Sequence, residues 1–444
     1  MPHINHGRFL RGRRALALFA AAATVAGLCV TPGASASAAS TSDARGGCAG
    51  PSFCIPQTVV LDGGQLALTR ALVRIGDPQL RTTLKDLTTQ ANSYLDQGPW
   101  SVMDKTQLPP SGDKHDYLSE APYWWPTEPE TASNPLGCPY VDKDGDVYPG
   151  AEDITDHDER GEMFNAVYDL TLAWYYTGNP AYAKRADLDL ATWFINPATA
   201  MDPNLDYTQG IPCMVDGRGT GIIDFSQQFS DILDATAILD TGAPGWTGAD
   251  HTAMQSWYSQ FLTWLETNPN AADEATSTNN HGSFFDEQEA ALALATGQAS
   301  LARQIVTTAE TKRLDVQLAA DGSEPLEISR TRSWHYSNFN LTALTRLAMI
   351  GQHVGVDLWT YQTPSGGSIL KSINFLIPAA TGAAAWTYPE LDFQAFSATD
   401  LVHVAAEHGD GTAAAALAKV QAPPGGDLFP LAPAPEQLDP VVTG

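Results

Sequence analysis

The sequence predicts an all-α fold, namely an (α/α) barrel or toroid of antiparallel helical hairpins in a single large domain. Apolar residues recur at helical spacing along most of the chain, and convincing alternating strands are nearly absent. Short turns separate successive helical segments, which is the pattern of stacked helix pairs. No sequence repeat of fixed period is present, so a solenoid is less favoured.

The first 36 residues have the composition of an export signal. Four arginines precede an apolar run from Ala15 to Val30, and Ala34-Ser35-Ala36 matches a small-residue cleavage pattern. We expect secretion after cleavage near Ala36, although Ala36-Ser37-Ala38 offers a second match. The Arg13-Arg14 pair is compatible with the twin-arginine export route.

Removal of this signal leaves four cysteines and a strongly acidic mature chain. Cys48 and Cys54 form the obvious local disulfide, which leaves Cys138 and Cys213, although three pairings are possible. The cysteines show no C-x-x-C spacing, so a metal site built from them is less favoured. Loss of the four arginines changes the formal net charge from −27 to −31. This charge argues against nucleic acid and anionic membranes as partners.

The mature chain divides into a lead-in at 37–62, an α/α-barrel domain at 63–421 and a Pro-rich tail at 422–444, which we expect to be extended or loosely packed. Within the barrel the apolar periodicity and the turn residues predict these helices: 65–96 with a break near Gly76-Asp77-Pro78, 160–177, 181–194, 224–239, 248–266, 283–296, 298–319, 337–354, 366–377, 395–407 and 411–420.

Two long segments, 100–157 and 197–221, interrupt the helical pattern and are rich in Pro, Asp and aromatic residues. Long ordered loops in a compact domain are usually functional. The stretch 142–146 has its glycine at the wrong position for an EF-hand, so we interpret it as a turn. The stretch 156–159, Asp-His-Asp-Glu, has the composition of a solvated helix start. We predict no metal site.

Two polar clusters carry candidate chemistry. Asn280 and His281 precede a helix, where Asn is an ordinary N-cap but a positioned His can also bind a carboxylate or move a proton. Downstream, Arg330, Arg332, His335 and Tyr336 lie close together in a chain that is poor in basic residues. Arginine grips carboxylates in bidentate fashion, and nearby cations are expected to lower the pKa of a tyrosine. The structural alternative pairs Arg330 with an acid and buries Tyr336 in the core.

A third cluster is aromatic. In Tyr123-Trp124-Trp125-Pro126, two adjacent Trp side chains cannot both face one core if the segment is extended. At least one of them is therefore a candidate for stacking on a sugar ring, although loop aromatics also pack on their own domain.

Taken together, these clusters resemble the alginate lyase superfamily of α/α-barrel enzymes, and they are closer to the family 38 polysaccharide lyases than to family 5. The spacing around Arg330 and Tyr336 differs from family 5. The stretches that carry the resemblance occur in the expected order between residues 117 and 358: Tyr123-Trp124-Trp125-Pro126, Asp144-Gly145, Asn204-Leu205-Asp206-Tyr207, Gly217-Arg218-Gly219, Gly221-Ile222-Ile223-Asp224, Asn279-Asn280-His281-Gly282 and Pro325-Leu326-Glu327 through Tyr336.

The resemblance implies β-elimination on an acidic polysaccharide without a cofactor. Asn280, His281 and Arg330 would surround the uronate carboxylate, and Tyr336 would take the C5 proton and then protonate the leaving oxygen. A single residue can do both only when the two groups share one face of the ring, as in mannuronate and glucuronate. Guluronate would need a second base, for which His281 is the candidate.

Substrate contacts of second rank are Tyr123, Trp124, Trp125, Gln288, Arg332 and His335, and Arg332 is an alternative to Arg330 as the carboxylate ligand.

Two other functions compete with the lyase. A glycoside hydrolase would need a carboxylate pair, for which Asp286, Glu287 and Glu327 are available. A secreted glycan-binding protein would need no catalytic residue. The sequence does not fix the oligomeric state.

Overall fold

In the computed structural model, helix follows helix from Gly63 to Ala416. The structure describes residues 55–436. The predicted export signal, Cys48, Cys54 and the end of the tail therefore lie outside the described residues. The described part of the chain contains sixteen α-helices: α1 Gly63–Arg74, α2 Arg81–Tyr94, α3 Asp156–Thr177, α4 Pro180–Leu190, α5 Ile223–Ser226, α6 Phe229–Leu239, α7 Gly248–Thr267, α8 Pro269–Glu274, α9 Asn280–Ala295, α10 Ala299–Ala309, α11 Asp315–Gln317, α12 Pro325–Ile328, α13 Ser333–Val354, α14 Ile369–Ala380, α15 Thr399–Glu407 and α16 Gly411–Ala416.

The helices form two layers. The inner layer contains α3, α6, α9, α13 and α15, and each of these helices packs against the next in this order. Helix α15 also contacts α14. Helices α3 and α13 have 22 residues each and are buried on nearly every side. Outer helices such as α10 bury a single stripe, here Ala302, Ile305, Val306 and Ala309. The predicted all-α toroid is therefore confirmed.

Helix ends follow the predicted turn chemistry. Helix α3 stops at Gly178, whose φ of 74° is left-handed and suits glycine. Asn179 then caps α4 by accepting from the Ala181 N–H at 3.1 Å, and Pro180 occupies the first turn. Because the apolar periodicity resumes at once, the two helices form the antiparallel pair that the sequence predicts.

Four short strands organise the two long loops. Strand β1 (Leu118–Glu120) pairs in parallel with β4 (Tyr207–Gly210), and β2 (Trp124–Pro126) pairs antiparallel with β3 (Tyr140–Asp142). A disulfide between Cys138 and Cys213 joins the same two loops, as predicted. Loops that are far apart in sequence are thereby fixed against each other on one side of the toroid.

The C-terminal tail differs from the expectation of loose packing. Phe429 and Leu431 are buried, and the Tyr176 hydroxyl donates to the Leu431 carbonyl at 2.6 Å. Arg346, itself buried, donates to the Glu436 carboxylate at 2.8 Å. The tail packs because it supplies apolar side chains to the core and an anion to a buried cation.

Two helical predictions are also corrected. The segment 224–239 is broken at Gln227-Gln228, which separates α5 from α6. Asp156 and His157, predicted to lie in a solvated helix start, are buried, and Asp156 contacts Lys105 and the Leu118 N–H of the preceding long loop. None of the helices between residues 55 and 436 combines the length and apolar character that a membrane span requires.

Candidate active site

A cavity of about 150 Å³ opens where the two long loops meet the first turns of α9 and α13. All four predicted catalytic residues line it, together with two of the predicted substrate contacts. The lining residues are Pro122, Tyr123, Trp124, Asp142, Asp144, Gln209, Arg218, Thr220, Ile223, Asn280, His281, Arg330, Tyr336 and Phe339.

Asn280 and His281 are held at the start of α9 by two buried acids. The Asn280 backbone N–H and side-chain Nδ2 donate to the two oxygens of Glu327 at 2.7 and 2.8 Å. His281 Nδ1 lies 2.8 Å from a carboxylate oxygen of Glu274. This contact leaves Nε2 as the ring nitrogen that can meet a ligand. Among residues 55–436 no hydrogen bond uses the second N–H of Asn280 Nδ2, so both side chains can serve the cavity.

Arg330 approaches the cavity from the turn between α12 and α13. Its Nε and Nη2 donate to the carboxylate of Asp144, which also accepts from the Thr331 N–H at 3.2 Å. Burial alone would raise the pKa of Asp144, but these hydrogen bonds hold it below its usual value. The Arg330 guanidinium carbon lies 3.7 Å from the ring centroid of Tyr336, a cation–π contact.

Tyr336 lies in the first turn of α13 and lines the cavity, with its hydroxyl 2.8 Å from that of Tyr123, another lining residue. The ring packs in a small apolar cluster with Ile223, Phe284 and Phe339. Burial raises the pKa of the Tyr336 phenol well above its usual value, Tyr123 adds to the rise, and Arg330 opposes it. Arg330 lowers this pKa, as predicted, but the net shift of the pKa is upward. The ring is only 4% exposed, and the loss of hydration outweighs one guanidinium.

Arg218 is a second arginine that lines the cavity, and no sequence pattern assigned it to the site. Its Nε and Nη2 donate to the backbone and side-chain oxygens of Gln209 at 3.1 and 2.9 Å. Gln209 in turn donates to the buried Asp224 at 2.7 Å. The backbone of Gln209 has a φ of 44°, a left-handed conformation that is rare outside glycine. Strained residues of this kind cluster at functional sites.

The two glycines that flank Arg218 are a local sequence signal that could have identified it as a site residue. A Cβ atom at Gly217 would lie 2.1 Å from the Asp206 carbonyl, and one at Gly219 would lie 2.6 Å from the Asn270 carbonyl. Both positions therefore require glycine because the backbone passes close to its neighbours. The Gly-Arg-Gly pattern thus marks a tightly packed turn that presents an arginine.

The remaining predicted contacts lie behind or beside the cavity. Trp125 packs on Tyr148 with ring centroids 5.2 Å apart, and its Nε1 donates to the Asp146 carbonyl at 2.7 Å. Gln288, Arg332 and His335 are at most 2% exposed and are not among the described residues that line the cavity. Of the two candidate arginines, the geometry therefore favours Arg330 as the residue that reaches a ligand.

Comparison with known proteins identifies the family of this chain. The family model described as "Alginate lyase" matches residues 101–386. A solved alginate lyase from Bacteroides ovatus is 32% identical, with coverage of 85% of this chain and 99% of that chain and a TM-score of 0.78. A search among curated proteins gave no significant match.

More distant solved structures share the fold alone. Alginate lyase A1-III from Sphingomonas species A1 is 16% identical, with coverage of 86% of this chain and 99% of that chain and a TM-score of 0.50. A variant of alginate lyase A1-III complexed with tetrasaccharide has the same identity and coverage and a TM-score of 0.53. On the family match and the 32% identity, the chain belongs to the alginate lyase family and is a polysaccharide lyase.

Proposed function

We propose that the protein cleaves a 1,4-linked polyuronate, either mannuronan in alginate or glucuronan, by β-elimination and leaves unsaturated uronate ends. The observation that carries this proposal is the convergence of Tyr336, Arg330, Asn280 and His281 on one cavity. The 32% identical alginate lyase from Bacteroides ovatus supports a uronate substrate.

The reaction removes the proton at C5 of a uronate and expels the sugar linked through O4. The C5–H bond is not acidic while the adjacent carboxylate carries its charge, so the site must neutralise that charge to stabilise the enolate-like intermediate. The second N–H of Asn280 Nδ2 is a suitable donor, and His281, with Nδ1 on Glu274, can donate from Nε2 when its ring is protonated. Both are preorganised by Glu327 and Glu274, so little reorganisation is needed when the intermediate forms.

Tyr336 is the proton-transfer residue of the proposal. Its phenolate takes the C5 proton, and the phenol then protonates the leaving O4. The guanidinium of Arg330 over the ring favours the phenolate, and the Tyr123 hydroxyl at 2.8 Å can donate to it. One group that serves both steps requires C5–H and O4 on the same face, which favours mannuronate or glucuronate over guluronate.

Substrate charge supports a role for Arg218 as well. Arg330 already uses two of its donor nitrogens on Asp144. Arg218, in contrast, is held by the neutral oxygens of Gln209, and no ion pair joins it to an acid within residues 55–436. A chain with a formal net charge of −27 needs such a local cation to attract a polyanion. We assign Arg218 to the binding of a uronate carboxylate.

The hydrolase alternative finds less support. Asp286 is paired with Arg313 at 2.8 Å, and Glu327 is occupied by Asn280. Neither of these acids nor Glu287 is among the described cavity residues. The carboxylate pair that a hydrolase requires on either side of a glycosidic bond is not supplied by the three predicted candidates.

The test is a panel of polyuronates with readouts of unsaturated-uronate absorbance and product mass. The wild-type protein is expected to act on polymannuronate or polyglucuronate and to release products with a new double bond. Tyr336→Phe is expected to lose this activity with an unchanged circular dichroism spectrum, whereas Tyr361→Phe, outside the cavity, keeps it. Saturated products, or unchanged activity of Tyr336→Phe, would contradict the proposal.

We further propose that the protein is exported after cleavage near Ala36. The disulfide between Cys138 and Cys213 supports this proposal, because such bridges persist in oxidising compartments. N-terminal sequencing of the protein recovered from the culture medium tests it. A mature N-terminus that still carries residues 1–36 would contradict it.

A further inference from the structure

A histidine and two carboxylates meet where the first long loop joins α3. His157 Nδ1 lies 3.8 Å from Glu152 Oε2 and 3.6 Å from Asp158 Oδ1. The three candidate ligand atoms all lie within 4.8 Å of one another. The sequence predicts no metal site here, but the structure buries the imidazole, which is 7% exposed.

The polar atoms around this imidazole lack ordinary partners. Separations of 3.6 Å and above are too long for hydrogen bonds. Glu152 Oε2, which faces His157 Nδ1, is buried and has no hydrogen-bond partner within the described residues, and His157 Nε2 on the other side of the ring has none either. The same holds for Thr155 Oγ1 and Asp156 Oδ1 close by. Buried polar groups without partners are costly and call for a water or an ion.

The two separations from His157 Nδ1 fit one metal ion, and the third, between Glu152 and Asp158, is no longer than 4.8 Å. Zinc binds His nitrogen and carboxylate oxygen at about 2.0–2.2 Å, so ligand atoms at tetrahedral to trigonal angles lie roughly 3.4–3.8 Å apart. Both measured separations from His157 Nδ1 reach this range. We propose that Glu152, His157 and Asp158 bind one divalent transition-metal ion, with Zn²⁺ as the probe of choice. Water would complete the coordination, since Asp158 is on the exposed side.

The alternative to a metal ion at this cluster is a proton on His157 Nδ1. Burial would lower the pKa of His157, but Asp158 and Glu152 raise it to about 9. An imidazolium between two acids would explain the cluster without a metal. Because proton and metal use the same nitrogen, direct metal binding separates the two explanations.

The position of the site gives the ion a structural role. The segment 140–153 runs from β3 past Asp144 and Tyr148 to Glu152. Tyr148 is anchored to the β2 side by its N–H, which donates to the Pro122 carbonyl at 2.7 Å. An ion at Glu152 would fix the other end of this segment to α3. Asp144, which holds Arg330, lies just before the first anchor in the same segment, so the metal is expected to stabilise the part of the cavity wall that carries it.

The experiment uses tag-free protein that has been treated with a chelator and dialysed. Zn²⁺ is titrated by calorimetry, metal content is measured after equilibrium dialysis, and thermal unfolding is followed with and without Zn²⁺. The variants are His157→Gln, Glu152→Gln and Asp158→Asn. Glu162→Gln, an exposed acid on the same helix, is the matched control. Glu152 and Asp158 are partly exposed, so their variants keep the test valid if His157→Gln fails to fold.

The expected result is one Zn²⁺ per wild-type chain and per Glu162→Gln chain, with a higher unfolding temperature in the presence of zinc. Each site variant is expected to bind at least tenfold more weakly and to lose the stabilisation. Absence of saturable binding to the wild type, or wild-type affinity in the site variants, overturns the proposal. None of these readouts uses polysaccharide, so the outcome is independent of the proposed lyase activity.

Discussion

The hydroxyl oxygens of Tyr123 and Tyr336 lie 2.8 Å apart. Tyr123 immediately precedes β2, and Tyr336 lies in the first turn of α13. In the resting protein either phenol can be the donor, and a bond in which Tyr336 donates favours its neutral form, which is how Tyr123 adds to the rise of the Tyr336 pKa. Once Tyr336 is a phenolate, only Tyr123 can donate, so the contact becomes a charge-assisted hydrogen bond in the state that reacts. Tyr123 is therefore placed to stabilise the base form of Tyr336.

We predict that Tyr123→Phe lowers kcat by roughly tenfold to a hundredfold, since loss of one donor to a reacting oxyanion has effects of this order. KM is expected to change little because the ring remains in the wall. Initial rates on the preferred polyuronate measure both constants, with Tyr361→Phe as the control. A large rise in KM at constant kcat would instead assign Tyr123 to ground-state binding.

The pH dependence of the reaction follows from the burial of Tyr336. Burial raises its pKa well above the usual value, Tyr123 raises it further, and Arg330 only partly compensates. The phenol is therefore protonated at neutral pH, and the fraction of base grows as pH rises. We predict that kcat/KM increases with pH through the alkaline range until the protein unfolds. A profile that falls above neutral pH in folded protein would contradict Tyr336 as the base.

Arg330 depends on Asp144 for its position. The carboxylate accepts from two nitrogens of the guanidinium fork, a geometry that lysine cannot reproduce. We predict that Arg330→Lys and Asp144→Asn each lower kcat/KM by about tenfold to a thousandfold, with the Asp144 variant less affected because the cation remains. Steady-state rates measure the loss. Asp146→Asn, at a position shortly after Asp144 in the same loop but outside the cavity lining, is expected to retain wild-type rates.

Arg218 gives a prediction about substrate affinity. We expect Arg218→Gln to raise KM about tenfold and to weaken its dependence on salt, because one charge–charge contact with the polyanion is lost. Rates measured across a range of NaCl concentrations test this. Lys143→Gln is the matched control, since this lysine lies 3.9 Å over the Trp125 ring instead of lining the cavity. Equal effects of the two variants would indicate general electrostatic attraction.

Local chemistry allowed much of the fold to be predicted from sequence. The Gly178-Asn179-Pro180 signal gave the correct end of α3 because capping and backbone conformation are set by adjacent residues. The break at Gln227-Gln228 carried no comparable signal. The packed tail was also missed, because the partner of Glu436 is Arg346, 90 residues away.

The candidate site shows the same division. The cluster at Arg330 and Tyr336 was visible as residue types, but the choice between Arg330 and Arg332 depends on which one meets Asp144, 186 residues earlier in the chain. The raised pKa of Tyr336 was likewise beyond the sequence, since desolvation is a property of the packed cluster. The Gly217-Arg218-Gly219 motif is visible in the sequence, but only the fold brings its arginine to the cavity.

The disulfide between Cys138 and Cys213 links stability to the cavity. It closes a loop over a sequence separation of 75 residues and joins the segment before β3 to the turn between Gln209 and Arg218. Cross-linking restricts the unfolded chain, so we predict that the double variant Cys138→Ser/Cys213→Ser lowers the free energy of unfolding by about 2–4 kcal/mol. Because both joined segments form the cavity wall, KM is expected to rise as well. Denaturant unfolding and initial rates measure the two effects; unchanged KM with reduced stability would show that the strands β1 to β4 hold the wall without the bridge.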